Sequence, residues 1–392
     1  LQLNIEASKI ALSINEKDIA GFVLKNPLKL KPLLLSLVAH QLKFNQNLVQ
    51  KVPSWPLPKG ILAPPDISFE QSSSETTARY KSSLFQGNNV LDLTGGFGID
   101  TYFYSKEFGS IVHNEPNLEL SQIVKYNFEI LGVNNVEFAN FKAEDFPFSL
   151  QYDLIYLDPS RRNSQNKKLF KIQDCMPDLM QMSDRFWSAS DNFLVKYSPI
   201  LDISEAIRLL SGVYKVIIIA EKNEVKELLF LLKKSFEPDV LISCINIIEE
   251  ETVQYFDFNL KEEKECETPT FTEPQSFLYE PNAAIMKAGA FKSIAKQFDL
   301  KKLAINTHLY TSEKPVVNFP GKIFKIEKVL KFDPKLIKER FNKGIVNVIS
   351  RNFPYSTNEI KQKLRLKDGG TETVFFTEDL QKRKISIICE KI

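Results

Sequence analysis

The 392-residue chain contains no apolar run that approaches the roughly 18 residues a membrane-spanning helix needs. Its first ten residues, "LQLNIEASKI", lack a basic segment followed by an apolar one, so no secretory signal peptide is expected. Cysteine and histidine are scarce. Cys175, Cys244, Cys266 and Cys389 form no CxxC pair, and His40, His113 and His308 lie far apart. That scatter argues against a metal site and against a disulfide framework, and it fits a reducing, cytoplasmic setting. Internal repeats, coiled-coil heptads and low-complexity tracts are also missing.

What is present reads as globular protein: 43% hydrophobic and 26% charged residues. The length allows two to four domains. A net charge of +2 hides an asymmetry, because Ile323–Ile392 carries 16 Lys and Arg against 9 Asp and Glu. A basic end on a faintly acidic body suits a polyanion such as RNA, and equally a solvated lysine face.

Leu30, Leu33, Leu34, Leu37, Val38 and Leu42 recur near helical spacing in "LKLKPLLLSLVAHQLKFNQNLVQ" (28–50), which predicts an amphipathic helix in a helical N-terminal region, 1–60. The proline-rich "VPSWPLPKGILAPPD" (52–66) connects it to a main domain, 61–260. Strands are expected at 88–93, 110–115, 135–139, 153–158, 192–197, 214–220 and 238–247. Helices are expected near 98–108, 117–131, 175–188, 202–211 and 222–235. Such alternation implies an α/β fold with a parallel sheet, whose ligands bind beyond the carboxyl ends of the strands. The charged "KEEKECETPTFTEP" (261–274) reads as a linker into two α+β modules, 275–322 and 323–392.

Chemistry concentrates in two stretches. "VLDLTGGFGID" (90–100) is a strand, a glycine turn and a helix start. Gly95, Gly96 and Gly98 let a ligand approach the backbone, and the helix start offers free N–H groups. Asp92 before the turn would repel a pyrophosphate and attract a cationic amino-acid headgroup. Glu115 ends the next strand, where an acid can take both hydroxyls of a ribose. Together these favour a nucleoside ligand. The second stretch, "DLIYLDPSRR" (153–162), carries Asp158 and Pro159 to the end of a buried strand and adds Arg161 and Arg162. The arginines open a basic segment (160–173) suited to gripping phosphate, or to pairing with local carboxylates. Upstream, Ser72-x-x-Glu75 in "EQSSSETTARYK" has a helix-capping pattern.

The ordered segments "VLDLTGGFGID", "NEPN", "VEFANFKAEDF" and "YDLIYLDPSRR" resemble the motifs of class I S-adenosylmethionine-dependent methyltransferases. The chain is similar, over most of its length, to a bacterial subgroup with a THUMP-like C-terminal domain, through "EQSSSETTARYK", "LDPSRR", "KYSPILDI", "NEVKELL", "YEPNAAIMKAG" and "RNFP…LRLKDGG". The catalytic part is also distantly like trimethylguanosine synthase. The resemblance implies a Rossmann-like seven-stranded methyltransferase sheet, a helical N-terminal region, and C-terminal α+β modules of ferredoxin-like and THUMP-like kind. It implies S-adenosyl-L-methionine as cofactor, with Asp92, Thr94, Gly95, Gly96 and Gly98 at its methionine end and Glu115 on the ribose. Lys142 stands where an Asp is usual, which leaves Glu144 or Asp145 beside the adenine. Gln71 and Ser72 would border the pocket.

Asp158 and the carbonyl of Pro159 would lie beside the transferable methyl as acceptors for an amine N–H. Enzymes that methylate amines usually carry a second proline and an aromatic at this point, where this chain has Ser160 and Arg161. Arg351, Lys361, Lys363, Arg365 and Lys367 around Phe353 and Tyr355 suit RNA, or a core with solvated cations. The leading expectation is methylation of RNA, with a base exocyclic amine as one acceptor. The alternatives are a protein or small-molecule acceptor, and a non-catalytic RNA-binding protein built on a methyltransferase scaffold.

Overall fold

A computed structural model describes residues 1–14, 17–56, 60–65, 67–161, 172–236, 239–249 and 252–392. The chain forms two compact units, Leu1–Tyr214 with Glu227–Pro238, and Lys215–Lys226 with Asp239–Ile392.

The first unit opens with helices α1 (Gln2–Ser13), α2 (Ile19–Lys25) and α3 (Pro32–Lys51). Proline at the first position of α3 fixes where the predicted helix begins. The middle of α3 buries Val38 and Leu42 against Ala7, Ala11 and Phe22. Its last turns place Phe44 and Leu48 in a larger core with Trp55, Phe69, Phe97, Val124 and Phe128. There follow α4 (Ser68–Gln71), α5 (Glu75–Ser82), β1 (Asn89–Asp92), α6 (Ile99–Glu107), β2 (Ser110–Asn114), α7 (Leu118–Leu131), β3 (Val136–Ala139) and β4 (Leu154–Leu157). Beyond them come β5 (Ser160–Arg161), β6 (Cys175–Met176), α8 (Leu179–Ala189), β7 (Asn192–Tyr197), α9 (Ile203–Leu209) and, after β8 (Val213–Glu221), which lies mainly in the second unit, β9 (Glu224–Lys233).

Within this unit the strand order is β3-β2-β1-β4-β7-β9. All neighbours are parallel except β7 and β9, which are antiparallel. The expected helix at 222–235 is therefore a strand. Leu228, Leu229, Phe230, Leu231 and Leu232 are all buried. A strand covered on both faces loses the period-two alternation that separates strand from helix in a sequence. The helix expected from 175 starts at Leu179, because Cys175 and Met176 pair with Arg161 and Ser160 instead. The capping pattern also shifts: Ser74, not Ser72, caps α5, and Glu75 takes the N–H of Ser54 at 2.8 Å.

In the second unit β8 pairs in parallel with β10 (Leu241–Glu249), and β11 (Thr252–Asn259) runs antiparallel to β10. Helix α10 (Leu260–Glu265) occupies the start of the expected linker. Strands β12 (Phe277–Pro281), β13 (Lys301–Ala304), β14 (Thr307–Ser312), β15 (Gly321–Lys331), β16 (Asn347–Ser350), β17 (Glu372–Glu378) and β18 (Lys384–Lys391) form one sheet in the order β13-β14-β12-β15-β18-β17-β16. The boundary expected at 322/323 falls inside β15, which pairs with β12 on one side and β18 on the other. Alternating residues of β17 feed two cores: Val374 and Phe376 join Ile337, Ile360 and Leu364, while Phe375 joins Leu278, Leu303 and Leu309.

Two glycines of the turn after β1 are required by packing. A Cβ on Gly95 would stand 2.2 Å from the His113 ring. Gly98, at φ +80°, would press a Cβ to 2.8 Å from Val124. Gly132, which ends α7 at φ +73°, has nothing within 4 Å. Gly98→Ala is expected to destabilise by about 2–4 kcal/mol, combining a left-handed backbone with overpacking, whereas Gly132→Ala should cost about 1 kcal/mol. Urea denaturation of both variants measures the difference.

Candidate functional site

The strand order of the first unit reverses between β1 and β4, and their carboxyl ends flank a crevice. A cleft of about 490 Å³ opens there. Asp92, Thr94, Gly95, Gly96, Gly98, Glu115, Glu144 and Asp158 all line it, as do Gln71, Ser72 and Lys142. Of the two acids considered for the third strand, Glu144 borders the cleft and Asp145 is exposed beside it. Pro159 is buried, whereas its neighbours Asp158 and Ser160 line the cavity. Arg162 and the side chain of Arg161 lie outside the described residues.

The turn is tied down from three directions. The Asn114 side chain donates to the carbonyls of Leu93 and Phe141, each at 3.0 Å, and accepts the Phe141 N–H. It thus joins the loops that follow β1 and β3. The Glu115 carboxylate accepts the N–H of Gly96 at 3.1 Å and that of Asn117 at 2.8 Å. Thr94 stands where the commonest pattern has a glycine, and its hydroxyl accepts the Asp158 N–H at 2.6 Å. The substitution links the glycine turn to the Asp-Pro segment.

Beneath the turn lies a desolvated chain. The Thr101 hydroxyl donates to Asp92 Oδ2 at 2.6 Å and meets His113 Nδ1 at 2.8 Å. Since its proton goes to Asp92, the network assigns the proton on His113 to Nδ1. Burial lowers the His113 pKa to about 3, so the ring is neutral. Burial likewise pushes Asp92 up to about 7, against the bonds from Thr101 and Thr94. An arriving cation would favour its ionised form.

The other wall holds a buried charge cluster. Lys81 is fully buried; its ammonium donates to Ser73 Oγ at 2.6 Å and Glu227 Oε2 at 2.8 Å and pairs with Asp100 Oδ1 at 2.9 Å. Glu227 also accepts the Thr77 hydroxyl at 2.8 Å. Asp100 Oδ2 accepts from Ser73 and Tyr156, both at 2.8 Å. Burial alone would raise the Asp100 pKa, but Lys81 and Lys196 outweigh it and hold the carboxyl low. Lys196 Nζ lies 2.6 Å from Asp158 Oδ2 and 3.4 Å from Ser73 Oγ. Burial acts to lower the Lys196 pKa, yet Asp158, Glu227 and Asp100 together carry it well above the ordinary lysine range.

Lys81, Asp100, Lys196 and Glu227 carry no joint mark in the sequence, being up to 146 residues apart in one pair. The available sign was a lysine inside the apolar strand "NFLVKY" (192–197) and a glutamate beside the leucines of "NEVKELL" (223–229).

In the second unit the basic and aromatic cluster is largely engaged. Phe353 packs on Phe332 and Phe376, with ring centroids 5.2 and 5.9 Å apart. Lys363 lies 3.3 Å from the Tyr355 ring centroid, Arg351 pairs with Glu280 at 2.6 Å, and Lys361 pairs with Asp368. Arg365 and Lys367 are exposed. Among the described residues no group of three His, Cys, Asp or Glu could hold a metal, and no helix is long and apolar enough to cross a membrane.

Comparison with known proteins gives both family and structural matches. Residues 277–320 match a ferredoxin-like domain family, and residues 321–391 match a THUMP domain-like family. A crystal structure from Porphyromonas gingivalis W83, described as that of a methyltransferase, is 30% identical, spans 99% of this chain and 98% of that one, and superposes with a TM-score of 0.89. Partial likenesses include a modification subunit described as belonging to a type I restriction enzyme of Vibrio vulnificus YJ016 (13% identity, 46% of this chain and 48% of that one, TM-score 0.34). Another is the Pyrococcus abyssi tRNA (uracil-54, C5)-methyltransferase solved with S-adenosyl-L-homocysteine (17% identity, 41% and 38%, TM-score 0.30). No curated protein matches significantly.

Lys81→Met strands Asp100 and Glu227 without their shared cation and should destabilise by about 3–5 kcal/mol. Adding Glu227→Gln should recover part of that loss, and thermal unfolding of both variants tests it. Asp92 predicts a pH effect of definite sign. Its folded pKa lies above the unfolded value, so the folded state binds the extra proton and wild-type stability falls as pH rises from about 4 to 7. Relative to Asp92→Asn, the ligand-free wild type should lose about 4 kcal/mol across that window and level off above it. Denaturant curves at several pH values measure the difference.

Proposed function

The chain belongs to the family of the Porphyromonas gingivalis protein, class I methyltransferases with ferredoxin-like and THUMP-like C-terminal domains, and from that membership we propose that it transfers a methyl group from S-adenosylmethionine to an amine of RNA in a cytoplasmic setting. The observation that carries this reading is the convergence of the glycine turn, Glu115 and Asp158 on one cleft.

The residues present suit the cofactor. Among the described residues no cation pairs with the buried Asp92 carboxyl, and its two oxygens are held by Thr101 and Thr94. It would take the cationic amino group at the methionine end. The backbone of Gly95, Gly96 and Gly98 leaves room beside it, Glu115 would accept the ribose hydroxyls, and Glu144 would sit near the adenine. When bound, the cofactor supplies a methyl already activated on a sulfonium centre. The protein then has to hold an amine with its lone pair in line. Asp158 would accept one N–H of the acceptor and so fix that direction, with the Pro159 carbonyl as a further acceptor. An amine can shed its proton after transfer, so no strong general base is needed. Arg161 and Arg162 would contact the substrate phosphates.

RNA as substrate draws on the THUMP-like domain and on the basic charge of Ile323–Ile392. The packing of Phe353 and the pairing of Arg351 and Lys361 favour a second reading in which the acceptor is a protein or a small molecule. A base exocyclic amine remains the specific proposal for the methylated atom, and the likeness to trimethylguanosine synthase gains no support from the structures compared. The intact cleft speaks against a purely non-catalytic scaffold.

Incubation with methyl-labelled S-adenosylmethionine and separate RNA, protein and small-metabolite fractions discriminates these readings: label in RNA is expected, and label confined to another fraction would replace RNA as the acceptor. Asp158→Ala should keep cofactor affinity within about threefold by calorimetry while lowering transfer by at least ~100-fold. Wild-type turnover in that variant would remove Asp158 from the mechanism.

A further inference from the structure

We infer that Lys196 is a positioning residue for the acceptor: it grips one oxygen of Asp158 and leaves the other to receive the acceptor's N–H. The inference rests on the methyl-transfer reading, in which Asp158 meets the acceptor.

Asp158 is held at both ends. Its backbone N–H is fixed by the Thr94 hydroxyl at 2.6 Å, and its Oδ2 by Lys196 Nζ at 2.6 Å. The side chain of Asp158 is 35% exposed and lines the cleft, whereas that of Lys196 is 9% exposed and lies behind it. The cation therefore anchors the carboxylate from the protein side. Lys81 is engaged elsewhere, donating to Ser73 and Glu227 and pairing with Asp100. Ser73 bridges the two ammonium groups and ties Lys196 to the same buried frame.

Among the described residues the charged and titratable groups acting on Asp158 are Lys196 on β7, Lys81 on α5, Asp100 on α6, Asp92 on β1 and Tyr156 on β4. Burial is the largest influence and leaves the Asp158 pKa above the ordinary carboxyl range, with Asp100 acting the same way; Lys196 is the strongest influence toward the ionised form. Only the ionised carboxylate leaves both oxygens free of a proton, one for Lys196 and one for the acceptor. Removing the cation should therefore raise the Asp158 pKa and move the acid limb of activity to higher pH. An ion pair that merely joined β7 to the segment after β4 would affect stability and leave that limb in place.

The test uses the full chain as wild type, Lys196→Met and Lys196→Arg, labelled with [13C]aspartate. The Asp158 carboxyl resonance is assigned by its loss in Asp158→Asn and followed through a pH titration. In parallel, label transfer from S-adenosylmethionine to total RNA is measured against pH. The Lys196→Met resonance should titrate about one to three units above wild type. Its acid limb should shift in the same direction, kcat should fall, and KM for S-adenosylmethionine should stay level. Lys196→Arg should restore both midpoints. Coincident titration of wild type and Lys196→Met, or a lowered Tm with an unmoved acid limb, would overturn the inference. If Lys196→Met does not fold, Lys196→Gln serves for the same comparison. A shifted titration with no RNA labelled by wild type would support the tie between Lys196 and Asp158 while removing RNA as acceptor, so the two claims fail separately.

Discussion

The ammonium group of Lys81 is the interaction on which the first unit's chemistry depends. An isolated ammonium in that position would lose its hydration without compensation. Three acceptors prevent this, and they come from three places: Ser73 before α5, Asp100 in the first turn of α6, and Glu227 on β9. Satisfying one cation therefore fixes α6, which begins at the glycine turn, relative to the strand at the edge of the unit. A buried cluster of this kind contributes little net stability compared with apolar replacement of all its members together. It does restrict the arrangements in which its charges are all paired, and the cleft inherits that restriction.

The same frame sorts the carboxylates of the cleft by environment. Asp100 has lysines beside it and its pKa remains low, whereas Asp92, held by the neutral donors Thr94 and Thr101, is pushed by burial up to about 7. Asp158 sits between these cases, with Lys196 behind it and the cleft in front. Three acids on adjoining elements thus meet a ligand from different electrostatic environments. Asp92 is the one whose ionisation a cationic ligand would complete, and Asp158 is the one already paired and directional.

The second unit follows a different logic. Seven of its strands, β12 to β18, form one sheet through β15, so the ferredoxin-like and THUMP-like segments share backbone hydrogen bonds instead of a flexible joint. Arg351, from the THUMP-like segment, pairs with the nearly buried Glu280 of the ferredoxin-like one. Several cations that look available to a polyanion are thereby committed to the protein itself. Arg365 and Lys367 remain exposed, and the net basic charge of Ile323–Ile392 is unchanged by internal pairing.

The glycine turn, Glu115 and the Asp-Pro segment were legible in the sequence because each is a local pattern: a strand ending in a chemical group, followed by a turn. Their order along the chain was enough to bring them to one end of a parallel sheet. The amphipathic helix α3 was legible for the same reason, its apolar spacing being a property of neighbours in sequence. Strand β9 was not, since burial on both faces removes the alternation that would have separated it from a helix. Nor were the partners of Lys81 and Lys196. "ETTARYK", "FLVKY" and "NEVKELL" each contain an ordinary charged residue, and nothing local says which carboxylate will face which ammonium. That choice is made by desolvation, which acts only when the elements have packed and each buried charge must find its counterpart within a few ångströms. Sequence alone determined the motifs and their order; tertiary structure decided which charges meet, because only packing removes the water that would otherwise keep them apart.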